Sequence, residues 1–270
     1  MLAKFSAFIF GSIVGSFLNV CIHRMPQSES VVWPRSHCPH CKKRIPGYDN
    51  IPFLSYIILR GKCRYCKQKI SLRYPLVELI SALIFTLSFS RYALSFDFFF
   101  YALFACLLVI AAFIDVKHRI IPDEISIGGM IVGFILSAIR GLNLNPLTFN
   151  SKPLLNSFSG IIIGAGIIWL TGVLFDLVYF KLLKRPPIQG ETESMGGGDV
   201  KLLAMIGAFL GWQRALLTFF IAPFFGLIIG VINLLVKKDH TIPYGPFLAL
   251  GALLSIFWAN KIIALILFAR

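Results

Sequence analysis

Acidic side chains are scarce in this chain: 12 Asp and Glu stand among 270 residues, against 26 Lys and Arg. Charged residues of both signs make up 14% of the sequence, hydrophobic residues make up 57%, and mean hydropathy is +0.80. A soluble core of this length cannot hide that much apolar surface, so an ordinary soluble domain is excluded. The net charge of +14 is therefore a question of membrane sidedness and not a nucleic-acid signal. Internal repeats and low-complexity tracts are also missing. There is no Gly-x-Ser-x-Gly for a serine nucleophile and no His-Glu-x-x-His for a catalytic zinc. The run Gly196-Gly197-Gly198 is not followed by Gly-Lys-Ser/Thr and sits in no βαβ pattern, which disfavours a phosphate loop. The first apolar run lacks a small-x-small cleavage site and leads into a basic segment, so it reads as a retained helix and not a signal peptide.

What is present is a series of apolar runs at residues 5–22, 75–90, 98–114, 125–139, 158–180, 200–212, 215–236 and 247–268. Judged against the ~20 residues that a bilayer demands, they predict an all-α polytopic membrane protein with about eight transmembrane helices. The run at 200–212 is short, and merging it with the next would reverse the sidedness of everything after it. Between His23 and Tyr74 fall eleven Arg and Lys against only Glu29 and Asp49. The positive-inside rule makes this segment cytoplasmic. Counting spans from there puts the connections at 116–124, 181–198 and 237–244 on the same face, and these carry Lys117, Arg119, Lys181, Lys184, Arg185, Lys237 and Lys238. Gly11 with Gly15, Gly160 with Gly164 and Gly207 with Gly211 are spaced for close helix packing. The connection from Lys184 to Gly198 is rich in breakers, and Glu29, Asp49, Glu191, Glu193 and Asp239 read as solvated loop charges.

Cys38-Pro39-His40-Cys41 and Cys63-Arg64-Tyr65-Cys66 form two Cys-x-x-Cys knuckles with 21 residues between them. Two thiolates from one tight turn can meet two from another in a tetrahedron, so structural zinc held by Cys38, Cys41, Cys63 and Cys66 is the expected reading. Four thiolates close the site, which suits scaffolding and not catalysis. Disulfides are the competing reading, and a cytoplasmic setting opposes them. Cys21 and Cys106 lie in apolar runs and read as packed thiols.

Two aspartates remain, Asp115 at the end of one apolar run and Asp199 at the start of another. Carboxylates are costly at such positions, so a function is the default reading. Two carboxylates near each other share a proton, and such a pair can deprotonate water while protonating a substrate carbonyl. Gly196 and Gly198 before Asp199 would let an extended substrate approach closely. The bland alternatives are pairing of Asp115 with Lys117 or Arg119, and capping by Asp199 of a helix beginning at Val200. Asp123, after Pro122, competes with Asp115 as second choice for the first carboxylate, or as a helix cap.

Gly15-Ser16-Phe17-Leu18-Asn19-Val20, His23-Arg24-Met25-Pro26, both knuckles and Ser71-Leu72-Arg73-Tyr74-Pro75-Leu76-Val77-Glu78 occur here in order. They are followed by Asp115, Pro122-Asp123, Gly196-x-Gly198-Asp199-x-Lys201-Leu202 and Ile242-Pro243-Tyr244-Gly245-Pro246-Phe247. Together these resemble the bacterial prepilin peptidases, or type IV leader peptidases, almost end to end. The resemblance implies an aspartic endopeptidase of the bacterial inner membrane, its active site facing the cytoplasm, that cuts the basic leader from prepilins or pseudopilins. Asp115 and Asp199 match the catalytic pair, with Gly196, Gly198, Lys201 and Asp123 in supporting motif positions. The resemblance further implies N-methylation of the new N-terminus with S-adenosylmethionine, associated with the cysteine-bearing segment and with Gly61. The expected organisation is a first transmembrane helix at 1–22, a cytoplasmic four-cysteine zinc segment at 23–74 and a transmembrane peptidase core at 75–270. Nucleic acid is not an expected partner. Two rival readings are an intramembrane Gly-x-Gly-Asp protease with other substrates and a noncatalytic zinc-ribbon scaffold of a secretion system.

Overall fold

A computed structural model describes residues 1–142, 150–183, 195–236 and 243–268, with side chains except at 231–236 and 259–268. Glu191, Glu193, Lys184, Arg185, Lys237, Lys238, Asp239 and Ile242 lie outside the described residues. The regular elements among the described residues are all helical, without a strand. Its long helices are α1 (Leu2–Arg24), α3 (Arg73–Tyr92), α4 (Phe96–His118), α5 (Asp123–Gly141), α6 (Lys152–Asp176), α7 (Gly197–Leu210), α8 (Trp212–Val236) and α9 (Gly245–Phe268), and the short α2 (Leu54–Ile58) lies between α1 and α3. Each expected apolar run is one of these eight long helices. All eight start before the apolar stretch, and four also end after it, because a helix continues through its polar end turns while hydropathy stops at the first charge. Six helical stretches among the described residues are long and apolar enough to cross a membrane: Leu2–Gln27, Arg73–Tyr92, Phe96–His118, Asp123–Gly141, Lys152–Leu182 and Trp212–Gly230. The chain is thus a multi-pass membrane protein.

Helix α7 has 14 residues. At 1.5 Å per residue it is ~21 Å long, short of a ~30 Å hydrocarbon core. It is a separate element and not the start of α8. Gly211 between them has a φ of +81°, and a Cβ there would strike the Asn156 side chain, so only glycine serves at this break.

Two compact units divide the chain, residues 1–114 and 115–270. In the first, α1 and α3 pack with backbones in close approach. A Cβ on Gly11 would lie 2.7 Å from Phe85 Cβ, and one on Gly15 would lie 2.7 Å from Glu78 Cα. Asn19 donates to the Tyr74 carbonyl at 3.0 Å across the same seam. The buried Glu78 carboxylate accepts the Phe53 N–H at 3.1 Å, tying the segment between α1 and α3 to the helix pair.

In the second unit α6 and α7 approach so closely that a Cβ on Gly160 would meet the Gly207 carbonyl oxygen, and one on Gly207 the Gly160 carbonyl oxygen. The buried Ser157 hydroxyl donates to Ala208 O at 2.7 Å, and Ser137 of α5 donates to the same oxygen at 3.3 Å. The expected packing role of these glycines is therefore observed, and it fixes α7 in depth and rotation.

Candidate active site and metal centre

The residue types of the second unit dictate where its carboxylates go. Asp115 ends an apolar helix, and its side chain is 6% exposed, a placement that needs a hydrogen-bond partner. That partner is the backbone N–H of Gly245 at the start of α9, which donates to Asp115 Oδ2 over 2.9 Å. A Cβ on Gly245 would lie 2.7 Å from the same oxygen, so a side chain at position 245 would compete for the space that the carboxylate fills. Arg119, one turn along, contributes its positive charge to Asp115.

Asp199 is half-buried in the first turn of α7 and comes close enough to Asp115 for their charges to interact. Gly196 is the N-cap of α7 and its carbonyl accepts the Asp199 N–H at 3.0 Å. The N-cap position is thus held by Gly196 and not by Asp199. The helix starts at Gly197, three residues earlier than the capping alternative required, so that alternative fails. Gly198 rests against Ile121, where a Cβ would sit 3.3 Å from the Ile121 Cβ, while a Cβ on Gly197 would meet nothing within 4 Å. The backbone is thus open at Gly197 and closed by Ile121 at Gly198.

Asp123 and Lys201 are brought together elsewhere. Lys201 Nζ donates to Asp123 Oδ1 at 2.7 Å, with side chains 43% and 58% exposed. Asp123 lies in the first turn of α5, whose N-cap is Pro122. An exposed pair of this kind contributes about 0–1 kcal/mol. Asp123→Asn is accordingly expected to reduce peptide cleavage by less than about fivefold, measured as initial rate on a leader-bearing substrate.

Sequence reading missed the part played by Tyr244 and Gly245. The motif around them is visible, but its role is not, because Gly245 acts through a backbone N–H that every non-proline residue has. The Tyr244 hydroxyl lies within the field of Asp199, and the Gly245 N–H contacts Asp115 directly.

In the first unit the two cysteine knuckles fold alike. Cys38 N–H donates to Lys43 O and Lys42 N–H to Cys38 O; Cys63 N–H donates to Gln68 O and Lys67 N–H to Cys63 O. Each turn is closed by a lysine at positive φ, 57° at Lys42 and 58° at Lys67. Each is flanked by an isolated bridge, His37 with Arg44 and Lys62 with Lys69. The four sulfurs lie within 4.8 Å of one another. Backbone N–H groups of Cys66 and then Tyr65 draw the Cys63 thiol down to about 7, toward the thiolate that a metal takes. The cluster fits a four-thiolate zinc, and neither His37 nor His40 belongs to it. Replacing Cys38 or Cys63 by Ser should drop bound zinc from one per chain to near none, read by elemental analysis, and should open this segment to protease.

Asp49 corrects one sequence expectation. It is no solvated charge: Arg64 donates to both its oxygens at 2.6 Å, and the guanidinium holds this carboxyl below its ordinary value. The pair clips the second knuckle to the turn at 47–50. Gly61 leads into the same knuckle with φ +65°, and a Cβ there would lie 2.9 Å from the Tyr56 hydroxyl. Cys21 and Cys106 are buried free thiols, as expected.

Comparison with known proteins also falls into two parts, with a boundary between residues 92 and 102. A family model described as the bacterial peptidase A24 N-terminal domain matches residues 9–92, and one described as the type IV leader peptidase family matches residues 102–231. A prepilin leader peptidase/N-methyltransferase of Stutzerimonas stutzeri is 34% identical over 98% of this chain and 94% of its own length. One of Pseudomonas putida is 33% identical over 96% of this chain and 91% of its own length. One of Myxococcus xanthus is 36% identical over 84% of this chain, which spans 62% of that relative's length. No solved structure matches the chain. With both family models in sequence order and relatives matched nearly end to end, the chain belongs to the type IV leader peptidase family.

Proposed function

We propose that the chain cleaves the basic leader from type IV prepilins or pseudopilins and then methylates the amine so exposed. The observation that carries the cleavage reading is the placement, within one unit, of buried Asp115 and half-buried Asp199 close enough for their charges to interact, with the Gly245 N–H holding the first. In this reading one carboxylate is ionised and takes a proton from water, while the other is protonated and gives its proton to the scissile carbonyl oxygen. The resulting tetrahedral intermediate collapses as a proton passes to the leaving amine, so no covalent enzyme intermediate forms. Asp115 is preferred to Asp123 as the first carboxylate because Asp123 is exposed and paired with Lys201. Gly197 leaves the backbone beside Asp199 open while Gly198 packs on Ile121, and Lys201 anchors the start of α7 to α5.

The basic segment at 23–74 puts the four-cysteine cluster, and by span parity both carboxylates, at the cytoplasmic face of the inner membrane. A leader rich in Lys and Arg ahead of an apolar helix presents its junction at that surface. Methyl transfer from S-adenosylmethionine belongs in this reading to the 23–74 segment, scaffolded by zinc on Cys38, Cys41, Cys63 and Cys66. Gly61, whose positive φ shapes the second knuckle, keeps that scaffold in form. The test is coexpression with a prepilin followed by mass spectrometry of the pilin. The expected product has lost the leader and gained one methyl group on its new N-terminus. An intact leader would overturn the cleavage reading, and a cut but unmethylated product would overturn the methylation reading alone.

A further inference from the structure

The first unit contains a cavity of ≈ 790 Å³ between the α1 surface and the cysteine-bearing segment. One wall is the α1 stripe Ile13, Phe17 and Val20, on the outward side of a membrane-spanning helix, where Ile13 and Phe17 are exposed as lipid-facing side chains are. The other wall comes from the cysteine-bearing segment and brings Arg35 and Arg44; Arg24, at the end of α1, completes the polar end. From Ile13 to Arg24 the stripe runs ~16 Å along the helix axis, about half of the hydrocarbon thickness.

The charges in this cavity are all of one sign. No Asp or Glu lines it. Arg24 is 4% exposed and donates to the carbonyls of Ser30 at 2.9 Å and Pro34 at 2.7 Å, which fix its guanidinium without neutralising it. Asp49 is already taken by both nitrogens of Arg64. Arg35 and Arg44 are exposed and form no ion pair among the described residues. An apolar groove that descends along a spanning helix and ends at three arginines is complementary to one kind of molecule, an amphiphile with an anionic head and apolar chains. A sulfonium methyl donor is a poor match, because its cationic centre would be opposed by the same three charges.

We infer that this cavity is a binding site for one anionic phospholipid, its phosphate between Arg35 and Arg44 and the start of its chains along Ile13, Phe17 and Val20. Such a lipid would join the cysteine-bearing segment to the membrane surface, neutralising Arg35 and Arg44, which form no ion pair among the described residues. This inference is independent of the peptidase reading.

The test uses the full chain in mild detergent, offered phosphatidylglycerol or phosphatidylcholine, with retained lipid counted by native mass spectrometry. Preferential retention of one phosphatidylglycerol per chain is expected, weakened about 30-fold in Arg35→Gln/Arg44→Gln as two surface charges are lost. A single elution peak matching the wild type shows that the variant is folded. Should the double variant aggregate, Arg35→Gln and Arg44→Gln separately carry the test, each with about fivefold weaker retention. Equal retention of the two lipids, or unchanged retention in the variants, would overturn the proposal. Displacement of phosphatidylglycerol by inorganic phosphate or by S-adenosylmethionine would likewise assign the cavity to another ligand and overturn it.

Discussion

Asp115→Asn and Asp199→Asn are each expected to abolish leader cleavage, with a rate loss of about 10²–10⁴-fold, the range for removing a positioned acid or base. The change is nearly isosteric, so helix ends and packing persist while the proton-transfer capacity goes. In Asp115→Asn the Gly245 N–H can still donate to the side-chain amide oxygen, which keeps position and removes chemistry. Purified variants with a leader-bearing peptide give the rates directly. The pair should also be non-additive: if the two groups act as one unit, the double variant is no slower than the slower single variant. Cleavage that persists in either single variant would assign the chemistry elsewhere. A noncatalytic scaffold would retain its function in both.

Gly207→Val should be among the most damaging glycine replacements in the described residues. Its side chain would grow into the Gly160 backbone carbonyl and Ile161 N, and backbone cannot turn aside as a rotamer can. Overpacking typically costs about 1–3 kcal/mol, and here the obstacle is a helix main chain, so α7 must lift off α6. Because α7 carries Asp199 only eight positions away, a displaced α7 moves one carboxylate from the other. The expected outcome is a lowered thermal-unfolding midpoint in detergent together with lost cleavage. Gly166→Ala, on the exposed side of α6 where a Cβ meets nothing within 4 Å, is the control and should change neither. If Gly207→Val were as stable and active as Gly166→Ala, the α6–α7 contact would not be what positions Asp199.

Much of this was legible in the sequence because a bilayer allows few solutions. An apolar run must become a helix, and each of the eight runs did; their ends moved because hydropathy does not register the polar turns that close a helix. That shift mattered at Asp199, which the run placed before a helix and the structure places inside one. The four-cysteine cluster was legible because doubled knuckle spacing leaves few other geometries. The contacts of Asp115 were not, since its partner lies 130 residues away and acts through a main-chain N–H that carries no residue signature. The pairs Asp49 with Arg64 and Asp123 with Lys201 were hidden for a similar reason. Any of several basic residues could have met each acid, and only tertiary packing selects one.

The most direct measurement of the central claim is the rate of leader cleavage by the purified wild-type protein as a function of pH, under single-turnover conditions. Two carboxylates sharing a proton predict a bell. Activity falls on the acid side as the base is protonated and on the alkaline side as the acid loses its proton. A rate unchanged as pH drops through the carboxylate range would contradict water activation by Asp115 and Asp199.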